Sequence, residues 1–260
     1  MPRYAIALIA VVFATISIPI KSADEQKHST QVPGTSQFED KLNKRVGHFD
    51  ASGRTLVKCL LDLAYEYQLP LALEYVEDKA LDQQLVLELR DQTLRGVLLA
   101  VVRNASGYQL SIAGGIVDVY APRARENPAN LLNKLIKNFS VSSADTHFAD
   151  AALFCTLSRE IEPSSACVGS IVPGQWGTKQ VSVHMQNARV YEILNAIISE
   201  NGSAIWTVTV PPADLSKTPI VDLWHIYPLQ PEFKQLAFER LKGLASRHSP
   251  VSSSRLGGRP

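Results

Sequence analysis

The chain has 260 residues, with 26 Lys and Arg against 25 Asp and Glu and a formal net charge of +1. That length is a prior for one or two domains, and the near balance of charge argues against a nucleic-acid footprint. The one basic bias sits at the end of the chain, at Lys234, Arg240, Lys242, Arg247, Arg255 and Arg259, and reads as a solvated tail.

In chain order, Arg3 precedes an apolar run over residues 4–18 that Pro19 breaks. The run is shorter than the roughly 20 apolar residues of a membrane span. Residues 1–23 are therefore expected to be a secretory signal peptide. The weak cleavage site around Ser22 and Ala23 leaves an uncleaved anchor open. No later run is long and apolar enough to span a bilayer, so a soluble, periplasmic or secreted protein is expected. Residues 24–44 are polar without apolar periodicity and predict a flexible linker.

The core is expected to start with a short extended segment over 46–50. Leu56, Leu60, Leu63 and Tyr67 fall at helical spacing, with Ser52 or Thr55 as the cap. The Gln68-Leu69-Pro70 run stops this helix, because Pro disfavours the helical region for the residue before it. Residues 71–76 read as a strand and 78–83 as a polar turn. Leu85, Leu87 and Leu89 alternate with Val86, Glu88 and Arg90, which suits a half-buried strand. Asp91 or Thr93 caps a second helix over 94–104, closed by Ser106-Gly107. Two alternating runs around Gly114-Gly115 predict a hairpin.

A charged, Pro-containing stretch over 122–128 marks a boundary between two modules. Beyond it the pattern predicts a helix over 129–138, a short extended piece over 139–141 and a second helix over 149–158. The Pro- and Gly-rich stretch 162–179 reads as a long loop. It carries Trp176, a candidate ligand contact if exposed or a plug over the sheet if buried. A strand at Val181, Val183 and Met185 then leads through Asn187, as cap, into a helix over 189–200. Asn201-Gly202 turns the chain into strands over 205–210 and 220–227. A weakly amphipathic helix over 231–244 and a disordered polar tail finish it.

The second half of each module matches. Leu85, Leu87 and Leu89 align with Val181, Val183 and Met185, and Leu94, Val97, Leu98, Val101 and Val102 align with Val190, Ile193, Leu194, Ile197 and Ile198. The expected fold class is α+β: two small related modules, each with helices packed on a short mixed sheet. Their bounds are 45–121 and 129–227, followed by a weak helix and basic tail over 228–260.

Residues 46–120 resemble the secretin and TonB N-terminus short domain. The resemblance rests on Phe49-Asp50-Ala51, the helix running from Thr55 through Leu63 and Ala64, the Leu85 to Leu99 strand–helix run, and the hairpin from Gly107 to Tyr120. A weaker related module spans 129–211. The resemblance implies a small α/β sandwich acting as a docking module on an outer-membrane secretin or TonB-dependent receptor. It brings no catalytic residues. The chain departs from the family pattern at Gln68-Leu69-Pro70, where a Gly usually ends the first helix, and no channel or receptor core follows.

The three cysteines suit one bridge, Cys155–Cys167, closing a loop around Pro163, with Cys59 a buried hydrophobe on the first helix. No zinc spacing, phosphate loop or nucleophile elbow occurs. Asp145, His147 and Cys155 lack the surroundings of a Cys/His catalytic pair. The expectation is a non-enzymatic protein-interaction or assembly module with no metal or cofactor, and with self-association left open. The alternative is a small-ligand or glycan-binding protein that uses Trp176, Trp206 and Trp224 as stacking surfaces.

Overall fold

The computed structural model describes residues 33–76, 84–164, 167, 179–210 and 224–247. The expected signal peptide, the turn over 78–83, Trp176 and the end of the tail lie outside them.

The first half runs α1 (Pro33–Asn43), β1 (Arg45–Asp50), α2 (Leu56–Tyr67), β2 (Leu71–Val76), β3 (Glu88–Thr93), α3 (Leu94–Arg103), β4 (Gln109–Ala113) and β5 (Ile116–Tyr120). A short α4 (Pro122–Glu126) and a 3-10 turn (Leu131–Asn133) lead into the second half. That half runs β6 (Leu135–Asp145), α5 (Thr146–Ile161), β7 (Gln180–Arg189), α6 (Val190–Asn201), β8 (Ala204–Val210), β9 (His225–Pro228) and α7 (Pro231–Arg247).

The class is α+β, and a single five-stranded sheet in the order β4-β5-β2-β8-β9 joins the two halves. Strand β2 pairs in parallel with β5 and also with β8, where Leu71 faces Ile205 and Glu74 faces Val208. The two halves therefore do not carry separate central sheets, as the sequence had suggested. Side chains alternate across a strand, so the sheet has two covered faces. Leu71, Leu73, Val117, Val119 and Ile205 face a core with α2, α3 and α7, while Ala72, Ile116 and Trp206 face one with α5 and α6. Helix α6 buries Ile193, Leu194, Ile197 and Ile198 completely, each worth roughly 1.5–3 kcal/mol over leaving it exposed.

Two antiparallel ladders, β1-β3 and β6-β7, lie outside that sheet. Each of their four strands feeds a helix, and all four junctions share one device. A left-handed residue stands two positions before the residue that caps the helix. These are Gly53 before Thr55, Asp91 before Thr93, Ser143 before Asp145 and Asn187 before Arg189. Asp91 and Asn187 occupy matching positions in the sequence repeat. The caps are formed by Thr55, Thr93 and Asp145, whose side chains accept from the backbone N–H three residues on. At α6 the cap position falls on Arg189 rather than on Asn187. Asn187 supplies the turn, and Glu192 accepts from the Arg189 N–H at 2.7 Å.

Three further expectations are corrected. Residues 33–43 are a helix rather than a linker. Phe38 and Leu42, four apart, form a short buried stripe where α1 meets α3, and Arg95 pairs with Glu39 at 2.6 Å. The helix expected over 129–138 is a 3-10 turn followed by a strand. Asn130 closes the turn by accepting from Leu132 N–H. Strand β6 buries Ile136, Phe139, Val141 and Ala144, and with Leu132 in the preceding turn the first buried positions fall four and three residues apart, the spacing of a helix; the ladder's register shift, between Val141 and Ala144, lies beyond that stretch. The last helix extends to Arg247 and is packed rather than weak, with Ala237 and Leu241 buried and Lys234 paired with Asp62 at 2.6 Å.

Candidate functional site

Three places combine unusual chemistry with a defined position: the junction of the halves, a cleft at the β9 end of the sheet, and the opposite sheet edge at β4.

At the junction, Glu74 on β2 and Asp118 on β5 point to the α6 side of the sheet. Both are buried. Helix α4 places Arg125 between them, with Nε 2.6 Å from Glu74 Oε1 and Nη2 at 2.8 and 3.0 Å from the Asp118 oxygens. The guanidinium lies 3.8 Å from the Tyr120 ring centre and 4.2 Å from that of Tyr191, a cation–π sandwich. Asn195 on α6 donates to Asp118 at 3.2 Å and accepts from the Trp206 indole at 2.8 Å. Ser199 donates to the Gly114 carbonyl in the β4–β5 turn. Burial drives the Glu74 pKa up to about 7 against the pull of Arg125. Asp118 is raised for the same reason. Burial pulls the Arg125 pKa down, but the two carboxylates outweigh it and the net shift is upward. With two acids and one base so enclosed, the cluster is a lock between the halves.

The cleft has a volume of about 580 Å³ and lies among β9, the first turn of α5, the end of α6 and α7. Its titratable lining is His147, Asp150, Lys179, His225, Tyr227 and Arg240. Asp145 caps α5, which sets His147 and Asp150 on its first turns. Asp150 Oδ1 accepts from the Trp224 indole at 2.5 Å. Burial raises the Asp150 pKa to about 7, although the Trp224 bond pulls the other way. The His147 Nε2 is buried and has no hydrogen-bond partner. Burial lifts the Tyr227 hydroxyl to about 12, and Arg240 opposes that shift. Asn201 bridges to Thr146 at 2.8 Å, fixing the wall where α5 and α6 meet.

At the other end of the sheet, β4 pairs only with β5 among the described residues. Gly114 and Gly115, at φ 61° and 79°, form a two-residue turn in which both residues need the left-handed region. Such a loop starts from a hydrogen-bonded pair, here Ala113 and Ile116. Alternation then turns the N–H and C=O of Leu110 and Ile112 away from β5, toward the open side.

The candidates from the sequence separate as follows. Cys155 and Cys167 form a disulfide with Cα atoms 5.3 Å apart, and Cys59 is buried and free. Burial pushes the Cys59 thiol up to about 11, which keeps it protonated and unreactive. The bridge removes Cys155 from any pairing with His147. Trp206 and Trp224 are core residues with their indole N–H groups bonded inward, so neither offers a stacking face. Among the described residues no group of three or more His, Cys, Asp or Glu is placed to hold a metal ion. The sequence reading missed Glu74, Asp118 and Arg125. Its available signal was a single acid inside each of two apolar strands, Leu71–Val76 and Ile116–Tyr120.

No family model, curated protein or solved structure matches the chain.

Proposed function

We propose that this protein is an exported, non-enzymatic interaction module of the cell envelope, which docks by taking a partner strand onto β4. The observation that carries this reading is the character of that edge. Natural edges are blunted by charge, Pro, bulges or shortness. Strands β1 and β3 carry charged residues (Arg45, Asp50, Glu88, Arg90 and Asp91), β6 is interrupted, and β9 is four residues long and ends in Pro228. Strand β4, Gln109-Leu110-Ser111-Ile112-Ala113, has none of these devices and keeps a regular register along its length. An extended segment added there gains main-chain hydrogen bonds from Leu110 and Ile112, the route by which exposed sheet edges capture peptides.

The apolar N-terminal run and the Cys155–Cys167 bridge support an oxidising compartment outside the cytoplasm. The resemblance of residues 46–120 supports a secretin or TonB-dependent assembly as the partner. Among the described residues no helix is long and apolar enough to cross a membrane, so attachment through a partner suits the chain.

The test is in-cell photocrosslinking from Gln109, exposed on β4, in the native host, with mass spectrometry of the captured species. Ile112→Pro removes the outward N–H, and Ile112→Ala removes the same side-chain packing while keeping it. Capture of an outer-membrane channel or receptor that Ile112→Ala retains and Ile112→Pro loses is the expected result. Equal capture by both variants, or capture of nothing but a second copy of this chain, overturns the proposal.

A further inference from the structure

The cleft at the opposite end of the sheet has no part in edge docking, yet it is built as a site. Its volume, about 580 Å³, falls in the range of small-molecule pockets. Its lining is mixed, with Ile226, Pro228, Leu229 and Leu236 apolar and His147, Asp150, Asn201 and Ser203 polar. Leu236 is 45% exposed and gives the cleft an apolar surface that a ligand can reach.

The charge around the cleft is one-sided. Lys179, ahead of β7, and Arg240, on α7, stand on different elements at its rim. Neither makes an ion pair among the described residues. The Lys179 ammonium is held beside the end of α6, 3.4 Å from where a Cβ on Gly202 would stand. The one carboxyl in the lining is Asp150. Its burial keeps it largely protonated below about pH 7, so it offers a hydrogen bond more readily than a negative charge. His147 adds a buried ring nitrogen with no partner.

We propose that this cleft binds a small organic carboxylate with an apolar body. The carboxylate lies between Lys179 and Arg240, and the body lies on Leu229 and Leu236. Two cations on different elements beside apolar lining suit a carboxylate carried on an apolar body. Sugars are disfavoured because the indoles of Trp206 and Trp224 are turned inward and present no stacking face.

Charge-matched probes decide the matter: benzoate, benzyl alcohol and benzylamine, each titrated into the full chain. The readout is the NMR resonance of the Trp224 indole N–H, which Asp150 ties to the cleft. Benzoate is expected to shift it saturably at millimolar concentration, with the alcohol weaker and the amine inert. Arg240→Gln and Lys179→Gln each weaken benzoate by about tenfold, and together they abolish the shift. Lys137→Gln, an exposed cation on β6, leaves it unchanged. The proposal is overturned by binding of benzylamine as tight as that of benzoate. It is overturned equally by benzoate binding that survives the double substitution, or by a Trp224 signal that none of the three probes moves.

Discussion

Replacing Arg125 with Met keeps an unbranched side chain between Tyr120 and Tyr191 but removes the charge that Glu74 and Asp118 enclose. Breaking a buried pair by deleting one partner costs about 3–5 kcal/mol, a large share of the roughly 5–15 kcal/mol that holds a domain folded. The loss depends on pH in a defined direction. The Glu74 pKa rises from 4.5 to about 7 on folding, so the folded state holds this proton more tightly than the unfolded chain. The stability tied to Glu74 is therefore full below the unfolded value and declines as pH rises through the folded one. At pH 8, above the folded value, Glu74 is mostly ionised in the wild type, and Arg125→Met shows its full cost. At pH 5 Glu74 is protonated with or without Arg125, and the cost falls to about 1–3 kcal/mol for the lost hydrogen bonds. Urea unfolding of wild type and variant at the two pH values measures this. Glu74→Gln added to Arg125→Met recovers most of the loss at pH 8 and little at pH 5. A loss equal at both pH values, or a second substitution that deepens it at pH 8, refutes the electrostatic account of the lock.

The Cys155–Cys167 bridge closes a loop with a sequence separation of 12, and its removal by paired Cys→Ser substitution lowers stability by about 3 kcal/mol in denaturant melts. Ser143→Gly relieves a left-handed residue at φ 48° and raises the melting midpoint, a gain of up to about 1 kcal/mol. Gly53→Ala, at φ 75°, costs about 1–2 kcal/mol by the same scan. Asp150, raised on folding from 3.8 to about 7, loses its stabilising contribution as pH climbs through that interval. Asp150→Asn flattens this dependence while keeping an acceptor for Trp224, and a pH titration of the Trp224 indole N–H, centred near 7 in wild type and absent in the variant, reports it.

Local features of the fold were legible in the sequence because their causes are local. The Thr55 and Thr93 caps, the Gln68 stop and the Gly114-Gly115 turn are each set by a few neighbouring residues. So are the apolar stripes of α2, α3 and α6. What was not legible depends on distant partners. Helix α1 has two apolar positions, meaningful only once α3 is beside them. Leu132, Ile136 and Phe139 are buried at spacings of four and three across a turn and the start of β6, which periodicity alone reads as a helix. Glu74 reads as an ordinary polar residue of a strand until β8 covers its edge and α4 delivers Arg125. The cleft draws on α5, the start of β7, β9 and α7, so no short stretch of sequence announces it, whereas the bridge was within reach of simple cysteine spacing.

The central place of β2 constrains how this chain reaches its native state. The strand lies between β5 and β8, and its partner Ile205 is synthesised long after Leu71. Until then β2 presents an unpaired, apolar edge, the kind of surface that draws in wrong strands. Loop closure over that span must precede any gain from the pairing, which makes assembly of this sheet slow. A fragment cut between the halves near Pro128 lacks its neighbour permanently and is expected to precipitate alone, whereas the two fragments produced together complement one another. If the chain crosses a membrane unfolded, a chaperone that shields β2 during transit is the factor on which its yield depends.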